Sequence, residues 1–309
     1  MDEVDPACPM LQYIASHLHL DMEQRFWLAW LYSTCYSAPT AYYMLTKFPT
    51  SHSMTPERMN NWWKLNRHKL VFESDRRYVK SMNRFPAMFE SYLKFTGGVD
   101  SSPFKRNRKS TPGKTYEALY RAIDRALYFY GRFSIFNYLE TVYNLTHFPQ
   151  LATGVDLKYA RTVRNGLCYA TGHDDWVRKK KERMELNQAQ VSYLQATLTQ
   201  LYKELKREHP EVPTTYWNLE TGLCAYYKLF IPSRYAGYYI DRQMLEIETM
   251  QKLAPDCNWG MLWKFRRDNF DPLSLGEVQG YHGIRESMIY YFLETGQFVE
   301  HEQLARRYR

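Results

Sequence analysis

Residues 131–140 read GRFSIFNYLE and residues 161–170 read RTVRNGLCYA, and these two runs decide how the chain folds. In the first run Arg132, Phe136 and Glu140 follow at intervals of four, which places them on one face of a helix. In the second run apolar positions, Val163 and Leu167 among them, recur at helical spacing. The two runs predict consecutive helices around which the rest of the chain is organised.

The second helix also carries a polar stripe. It consists of Arg161, Arg164, Asn165 and Cys168. Two arginines and an amide, brought together with the carboxylate of Glu140, would suit a phosphorylated ligand, because the planar guanidinium fork matches phosphate oxygens. The alternative is a structural ion pair between packed helices. Spacing alone favours this alternative, because arginine is common on polar helix faces.

The charge and the aromatic content indicate the kind of partner. The 309 residues include 41 Lys and Arg against 33 Asp and Glu, a formal net charge of +8, which predicts an anionic partner. The 27 Tyr and 8 Trp beside these cations suit a surface that stacks bases, although most are expected in a helical core. The five cysteines include no pair at metal or redox spacing. Their odd number and the lack of a signal peptide predict reduced thiols in a cytoplasm.

One stretch is long enough to span a bilayer, since residues 26–46 carry no charge. It nevertheless contains several Ser, Thr and Tyr residues and Pro39. We therefore interpret it as a buried helix, a break at Pro39 and a second buried helix, and expect no membrane partner.

Helical spacing and weak strand signals throughout predict an all-α, mostly helical fold. We expect a single large helical domain over residues 1–309. The predicted helices run over residues 9–20, from Asp21 to Cys35, over residues 56–72, for about 25 residues from Thr115, and over a helical extension at 178–209.

Residues 97–114 are predicted to form a basic mobile loop that contacts the nucleic-acid backbone, because glycines and prolines alternate there with clustered cations. These DNA-binding cations are Lys105, Arg106, Arg108, Lys109 and Lys114. A second basic run predicted to bind DNA contains Lys179, Lys180 and Lys181. Gly113-Lys114-Thr115 copies the end of a phosphate-binding P-loop, but Arg108 stands where that motif requires glycine, so we reject an ATP site.

Four blocks of sequence follow one another along the chain. They are Phe26–Tyr32 with Tyr36–Thr40 and Phe48-Pro49; Asp75–Arg77 with Glu90–Tyr92; Gly131–Phe133 with Tyr138–Glu140 and Val163–Leu167; and Glu220–Cys224 with Lys228 and Gly237–Arg242. In this order they resemble the alpha-glutamyl/putrescinyl thymine pyrophosphorylase group, also called amino acid:DNA transferases. The resemblance covers about residues 20–250. A related helical domain is fused to bacteriophage 5-hydroxymethyluracil DNA kinases, and the absence of a P-loop favours the transferase over the kinase.

The resemblance implies an enzyme of bacteriophage DNA hypermodification, located in the host cell cytoplasm if it is phage-encoded. Its substrates would be double-stranded DNA carrying 5-pyrophosphoryloxymethyl-uracil and an amino acid or polyamine, whose amine or hydroxyl displaces pyrophosphate at the C5 methylene. The group is thought to be related to helical DNA glycosylases, which extrude the target base. Gly154-Val155-Asp156 is only a faint echo of the hairpin motif of those glycosylases.

Such a reaction needs cations around the departing pyrophosphate and a carboxylate that accepts a proton from the incoming ammonium. The candidate cations are Arg132 and Arg164 as catalytic residues, and Lys228, Arg242 and Arg76, with Asp75 beside it, as substrate-binding residues. The candidate bases are Glu140 and Asp241. Ring faces and an amide for the extruded pyrimidine are assigned to Trp30, Tyr36 and Asn165.

No cofactor is predicted. A divalent metal such as Mg²⁺ on the pyrophosphate is compatible with the reaction, although no ligand cluster in the sequence requires one. Two alternatives stay open. A non-enzymatic basic DNA-binding protein would explain the charge and the aromatics but not the paired arginine and carboxylate stripes. A glycosylase-like base-excision enzyme would release the base rather than pyrophosphate.

Overall fold

The computed structural model describes residues 7–72, 84–178, 186–212, 214–230 and 238–269, with the backbone alone at 229 and 238–241. Within these ranges every regular element is helical, which confirms the predicted all-α fold. The α-helices are α1 (Ala7–His17), α2 (Met22–Cys35), α3 (Ala38–Lys47), α4 (Pro56–Asn66), α5 (Arg84–Thr96), α6 (Ser102–Asn107), α7 (Pro112–Ala126), α8 (Arg132–Thr146), α9 (Arg161–Ala170), α10 (Gln188–Glu208), α11 (Tyr216–Leu229), α12 (Tyr238–Leu253) and α13 (Gly260–Asn269). Short 3-10 helices cover Ser51–Ser53, Arg67–Lys69 and Asp174–Trp176.

The chain packs into two compact units. The larger unit comprises residues 6–151 and 242–269, and so holds α1 to α8, most of α12, and α13. The smaller unit holds the described residues between 152 and 241, and its helices include α9, α10 and α11.

Helix α2 forms the centre of the larger unit. It begins as predicted after Asp21, whose carboxylate accepts a hydrogen bond from the Gln24 amide N–H at 2.9 Å while the Gln24 side chain accepts one from the Asp21 N–H at 3.0 Å. This reciprocal capping box satisfies two backbone donors that a helix start otherwise leaves without partners. Every residue from Phe26 to Cys35 is buried, because α3 and α8 pack around the helix.

The predicted break at Pro39 lies three residues earlier. Tyr36 ends α2 in the left-handed conformation, with φ of 52°, and Ser37 caps the start of α3 through the Thr40 N–H. Pro39 occupies the first turn of α3, where a missing N–H costs nothing because that donor has no partner within the helix. Among the described residues no helix is both long and apolar enough to cross a membrane.

The single helix of about 25 residues predicted from Thr115 is wrong, since the structure has two helices. Helix α7 ends at Ala126 and α8 begins at Arg132. Phe129, in the turn between them, has a φ of 60°, which no α-helical residue adopts. Leu119 and Ile123 before the turn and Tyr130 after it are all buried, so their helical spacing predicted one continuous helix.

The segment 97–114 is more regular than the predicted loop. Helix α6 occupies its centre and α7 begins at Pro112. Pro103 and Pro112 stand in the first turns of these helices, so they start helices rather than mark a loop. The short connection between α6 and α7 is held by the Lys109 N–H, which donates to the Thr115 hydroxyl at 2.9 Å.

In the smaller unit, α9 and α11 make close contact along their lengths, and α10 also packs on α9. Of the predicted leucine stripe in α10, Leu194 and Leu198 are buried. The close approach of α9 to α11 places Gly166 against the backbone of Leu223.

Candidate functional site

Arg164 is a buried guanidinium, with 7% of its surface exposed. Its Nη1 donates to the carbonyl oxygens of Leu157 at 3.4 Å and Lys158 at 3.1 Å, in the segment that leads into α9. Arg164, predicted to meet the departing pyrophosphate, therefore lies inside the fold rather than on the surface of α9. Its neighbour on the predicted stripe, Arg161, is exposed at the first turn of the helix.

Asn165, predicted to bind the pyrimidine edge, is fully buried and bonded to the backbone of Arg178. Its amide nitrogen donates to the Arg178 carbonyl at 2.8 Å, and its oxygen accepts from the Arg178 N–H at 3.3 Å. This pair of hydrogen bonds fixes the chain that follows the Asp174–Trp176 turn onto α9. Asn165 therefore positions this segment. Its amide nitrogen carries two N–H groups, of which the Arg178 carbonyl accepts one.

Cys168 completes the buried side of α9. Burial raises the pKa of its thiol to about 11, while the nearby Arg164 and Arg178 cations lower it. A thiol with such a pKa is protonated at neutral pH, whereas the nucleophile and the metal ligand are thiolates. Cys168 is therefore suited to packing.

Lys228 lies on α11, the helix packed most closely on α9, so the structure places Arg164, Asn165 and Lys228 on one helix pair. Aromatic stacking reinforces the pair at its end. The ring of Tyr169 lies parallel to that of Phe230, with centroids 4.0 Å apart. These three predicted residues are the candidates that the smaller unit contributes to a site.

In the larger unit, Glu140 lies on α8 and is only 6% exposed. Burial raises the pKa of the neighbouring Tyr116, and the charges of Tyr120 and Glu140 contribute to the rise. Arg132, predicted to share its face, is exposed at the first residue of the same helix. Two turns of helix separate the two side chains. The residues from Asn137 to Val142 are all buried, whereas Arg132 and Phe133 in the first turn are not.

Helices α12 and α13 hold a second buried polar group of the larger unit. Arg242 makes an ion pair with Glu246 at 3.4 Å. Arg266, which is fully buried, donates through Nη1 to Gln243 Oε1 at 3.2 Å. Arg266 was missed by the sequence interpretation. The available signal was its position four residues after Leu262, on the apolar side of α13.

The two aromatic candidates differ in accessibility. Trp30 has no exposed surface and is stacked against Trp27 and Tyr92, with ring centroids at 5.1 and 4.6 Å. The expectation that Trp30 stacks on an extruded base is corrected to a core role, because its ring faces are covered by other rings. Tyr36 is partly exposed and lies against Tyr32 and Phe133.

The basic residues of the 97–114 segment are at the surface of the larger unit. All five candidates, Lys105, Arg106, Arg108, Lys109 and Lys114, are exposed. Arg106 is oriented by a hydrogen bond from its Nη2 to the Phe95 carbonyl at 3.1 Å.

Several predicted residues lie outside the described ones. They are Asp75, Arg76, Lys179, Lys180 and Lys181, together with the side chain of Asp241. Within the parts of the chain that the structure describes, no group of three or more His, Cys, Asp or Glu side chains is arranged to hold a metal ion.

A family model described as amino acid:DNA transferase matches residues 3–235. The chain belongs to this family, which confirms the resemblance inferred from the four sequence blocks.

One curated relative is the serinyltransferase of Salmonella phage ViI, which is 26% identical over 263 residues. The alignment takes in 79% of this chain and 63% of the relative, so the chain spans less than two thirds of that protein's length. No solved structure matches the chain.

Proposed function

We propose that the protein transfers an amino acid or a polyamine to DNA by displacing pyrophosphate from 5-pyrophosphoryloxymethyl-uracil. Membership of the amino acid:DNA transferase family supports transfer to DNA. The relative described as a serinyltransferase makes serine the first amino acid to test. Double-stranded DNA carrying the pyrophosphorylated base is the second substrate.

The reaction exchanges one bond at the methylene carbon on C5 of the uracil. The amine nitrogen, or a hydroxyl oxygen, forms a bond to this carbon, and the carbon–oxygen bond to pyrophosphate breaks. Pyrophosphate leaves with the bonding electron pair. The attacking group becomes cationic and passes its proton to a base, so atoms and charge balance without an oxidant or a reductant.

The observation that carries the proposal is the burial of Arg164 within the residues that match the family. A departing pyrophosphate gains negative charge, and a guanidinium shielded from water stabilises that charge more strongly than one at the surface. Its fork can bind two oxygens at once. Lys228, on the helix packed against α9, and Arg132, Arg242 and Arg76 are the further candidate cations.

The base that accepts the proton of the attacking group is assigned to Glu140 or Asp241. Glu140 is the better supported of the two, because its side chain is described and almost fully buried, whereas the side chain of Asp241 lies outside the described residues. Asp75, Tyr36 and Asn165 stay candidates for substrate contacts. The proposal includes extrusion of the modified nucleotide, which would move the C5 methylene from the major groove, where it lies in duplex DNA, into the enzyme's site.

The test is mass spectrometry of nucleosides released from pyrophosphorylated DNA after incubation with the protein and single amino acids, serine first. The expected product is a uracil nucleoside with the amino acid attached at the C5 methylene, accompanied by stoichiometric pyrophosphate. Free base with an abasic site would indicate a glycosylase instead. Binding without either product, from a protein with a native melting curve, would leave only a DNA-binding function.

A further inference from the structure

A surface hollow of about 470 Å³ lies between α5 and the end of α7 in the larger unit. One wall is formed by α5, through Glu90, Ser91, Lys94 and Phe95. The other is formed by Ala126, the last residue of α7, and by Tyr128 in the turn that follows. The volume falls within the range of small-molecule sites, which is roughly 300–1,000 Å³. We call this site the α5–α7 hollow.

The walls of the hollow are mostly apolar, and their polar groups already have partners. The Ser91 hydroxyl accepts a hydrogen bond from the Tyr128 N–H at 3.0 Å and donates to the Met88 carbonyl at 2.7 Å. The Glu90 carboxylate pairs with Lys94 at 2.7 Å. The hollow therefore offers a ligand apolar surface rather than a pattern of hydrogen-bonding groups.

The turn after α7 presents aromatic rings at the edge of the hollow. Tyr128 is 51% exposed although it is a large ring, and Phe129 beside it has a φ of 60°. A bulky side chain in the left-handed region is unusual and is retained where the surrounding structure over-determines it. The guanidinium of Arg84 lies 3.9 Å from the centre of the Phe129 ring and holds this turn in place.

A row of cations runs along α7 towards the same turn. Lys114, Arg121 and Arg125 are seven and four residues apart, so at 100° per residue they lie within about 40° of one another. All three are exposed, and the buried residues Leu119 and Ile123 lie on the opposite side of the helix. The row, which we call the α7 cation row, is about 16 Å long, or about five nucleotide steps of one DNA strand.

The charge of the surrounding surface is strongly positive. Residues 84–130 contain nine Lys and Arg against four Asp and Glu, a net charge of +5, while the whole chain carries +8. Three further cations, Lys105, Arg106 and Arg108, project from α6 and its end. Arg106 is bonded to the carbonyl of Phe95, a wall residue, so α6 brings positive charge to the edge of the hollow.

We propose that the α5–α7 hollow receives an unpaired nucleobase of DNA, while the phosphates of the same strand lie along the α7 cation row. Charge complementarity selects a polyanion, and the exposed ring of Tyr128 beside apolar walls selects a flat aromatic group. Stacking on a ring tolerates every base, so little sequence preference is expected. The inference rests on the proposed function only in taking DNA as the partner.

The experiment measures binding of an unmodified, single-stranded oligonucleotide by fluorescence anisotropy, at several salt concentrations. Tyr128→Ala is expected to weaken binding about 10-fold, because stacking of one base is lost, and Tyr128→Phe is expected to bind as the native protein does. With 2-aminopurine in the strand, the native protein should quench its emission by stacking, and Tyr128→Ala should restore it. Binding and emission that are unchanged in Tyr128→Ala would overturn the hollow as a base site.

The cation row is tested with a matched pair of triple variants. Lys114→Ala with Arg121→Ala and Arg125→Ala should reduce the slope of log affinity against log salt by about 2 for single strands. The control, Lys203→Ala with Lys206→Ala and Arg207→Ala, removes the same charge from exposed positions at the end of α10 and should leave the slope nearly unchanged. Equal slopes for the two variants would overturn the row as the phosphate contact.

The outcomes of this experiment and of the transferase assay are independent, because the oligonucleotide carries no pyrophosphate. Tyr128-dependent binding without any transfer would overturn the proposed function alone. Transfer at the native rate in Tyr128→Ala, together with native binding, would overturn the hollow alone.

Discussion

A β-carbon placed on Gly166 would lie 2.0 Å from the carbonyl oxygen of Leu223. Atoms that are not bonded do not approach so closely, and the oxygen belongs to the backbone of α11, which cannot move aside without shifting the helix. The contact sets how near α9, which carries Arg164, comes to α11, which carries Lys228.

Gly166→Ala is therefore expected to lower the free energy of unfolding by about 1–3 kcal/mol, as overpacked sites do. Gly222→Ala is the control, since a β-carbon there meets nothing within 4 Å and alanine favours a helix. This control should gain up to about 1 kcal/mol. Urea unfolding measures both changes, and a Gly166→Ala protein as stable as the control would contradict the close packing of the two helices.

Arg164→Ala is expected to slow pyrophosphate release about 10²- to 10³-fold, because a group that stabilises developing charge is lost. Stability should also fall by about 1–3 kcal/mol, since the carbonyls of Leu157 and Lys158 lose their donor, the first in a buried place and the second in a partly buried one. Lysine should restore little, because a point charge does not reproduce the guanidinium fork.

Single-turnover pyrophosphate release, measured at a temperature at which the variant is folded, separates the two effects. Arg161→Ala is the control on the same helix, and because Arg161 is exposed its stability should change by well under 1 kcal/mol. A folded Arg164→Ala protein that turns over at the native rate would limit Arg164 to a structural role and remove the main support for the proposed function.

The pH dependence of stability should reflect Asp100, whose side chain is 1% exposed. Burial raises its pKa from 3.8 to about 6, although a hydrogen bond from the Ser51 hydroxyl at 2.7 Å partly opposes the rise. The folded state therefore keeps a proton that the unfolded chain has already lost. This contribution to stability is fully present below pH 3.8 and is lost as the pH rises through about 6.

Asp100→Asn mimics the protonated carboxyl group, so the variant should not lose stability as the pH rises through about 6. Between pH 4 and pH 7 the native protein should lose on the order of 2–3 kcal/mol relative to the variant. Urea unfolding of both proteins across this range gives the difference and cancels the other titrating groups. A constant difference between the two curves would show that Asp100 keeps an ordinary pKa.

The cysteines are expected to be inert packing residues. Four of the five, Cys8, Cys35, Cys168 and Cys224, are buried. Cys168→Ser and Cys224→Ser proteins that fold should keep most of their activity, since burial keeps the Cys168 thiol protonated at neutral pH.

Titration with a thiol reagent provides the measurement. The native protein should react first at the partly exposed Cys257, and five thiols should react after unfolding. Loss of turnover in a well-folded Cys168→Ser protein would instead assign that thiol to the chemistry.

Regular spacing was enough to predict most of the helices. Periodic apolar residues and the Asp21 cap located α2, whereas the same periodicity ran through the turn between α7 and α8 and did not locate the start of α8. The prolines were less reliable, because Pro39 and Pro103 are tolerated in the first turn of a helix as readily as in a loop. The left-handed conformation of Phe129 could not be predicted, since nothing in its residue type favours that conformation.

The candidate site shows a different limit. A periodic pattern assigns a polar residue to a solvated face, yet Arg164 and Arg266 occupy buried positions of amphipathic helices. Arginine reaches such positions when backbone carbonyls or an amide accept its hydrogen bonds, as Lys158 and Gln243 do here. These acceptors lie elsewhere along the chain, so only the folded structure identifies them.

The enclosure of α2 has a consequence for synthesis of the protein. The helix is covered by α8, which leaves the ribosome about a hundred residues later. Until Arg132–Thr146 has been translated, the side of α2 that α8 covers stays exposed in the nascent chain, whereas Trp27 and Trp30 already pack against α5. A message truncated before this point therefore yields a product in which one side of α2 is uncovered, which chaperones would bind and which would aggregate in their absence.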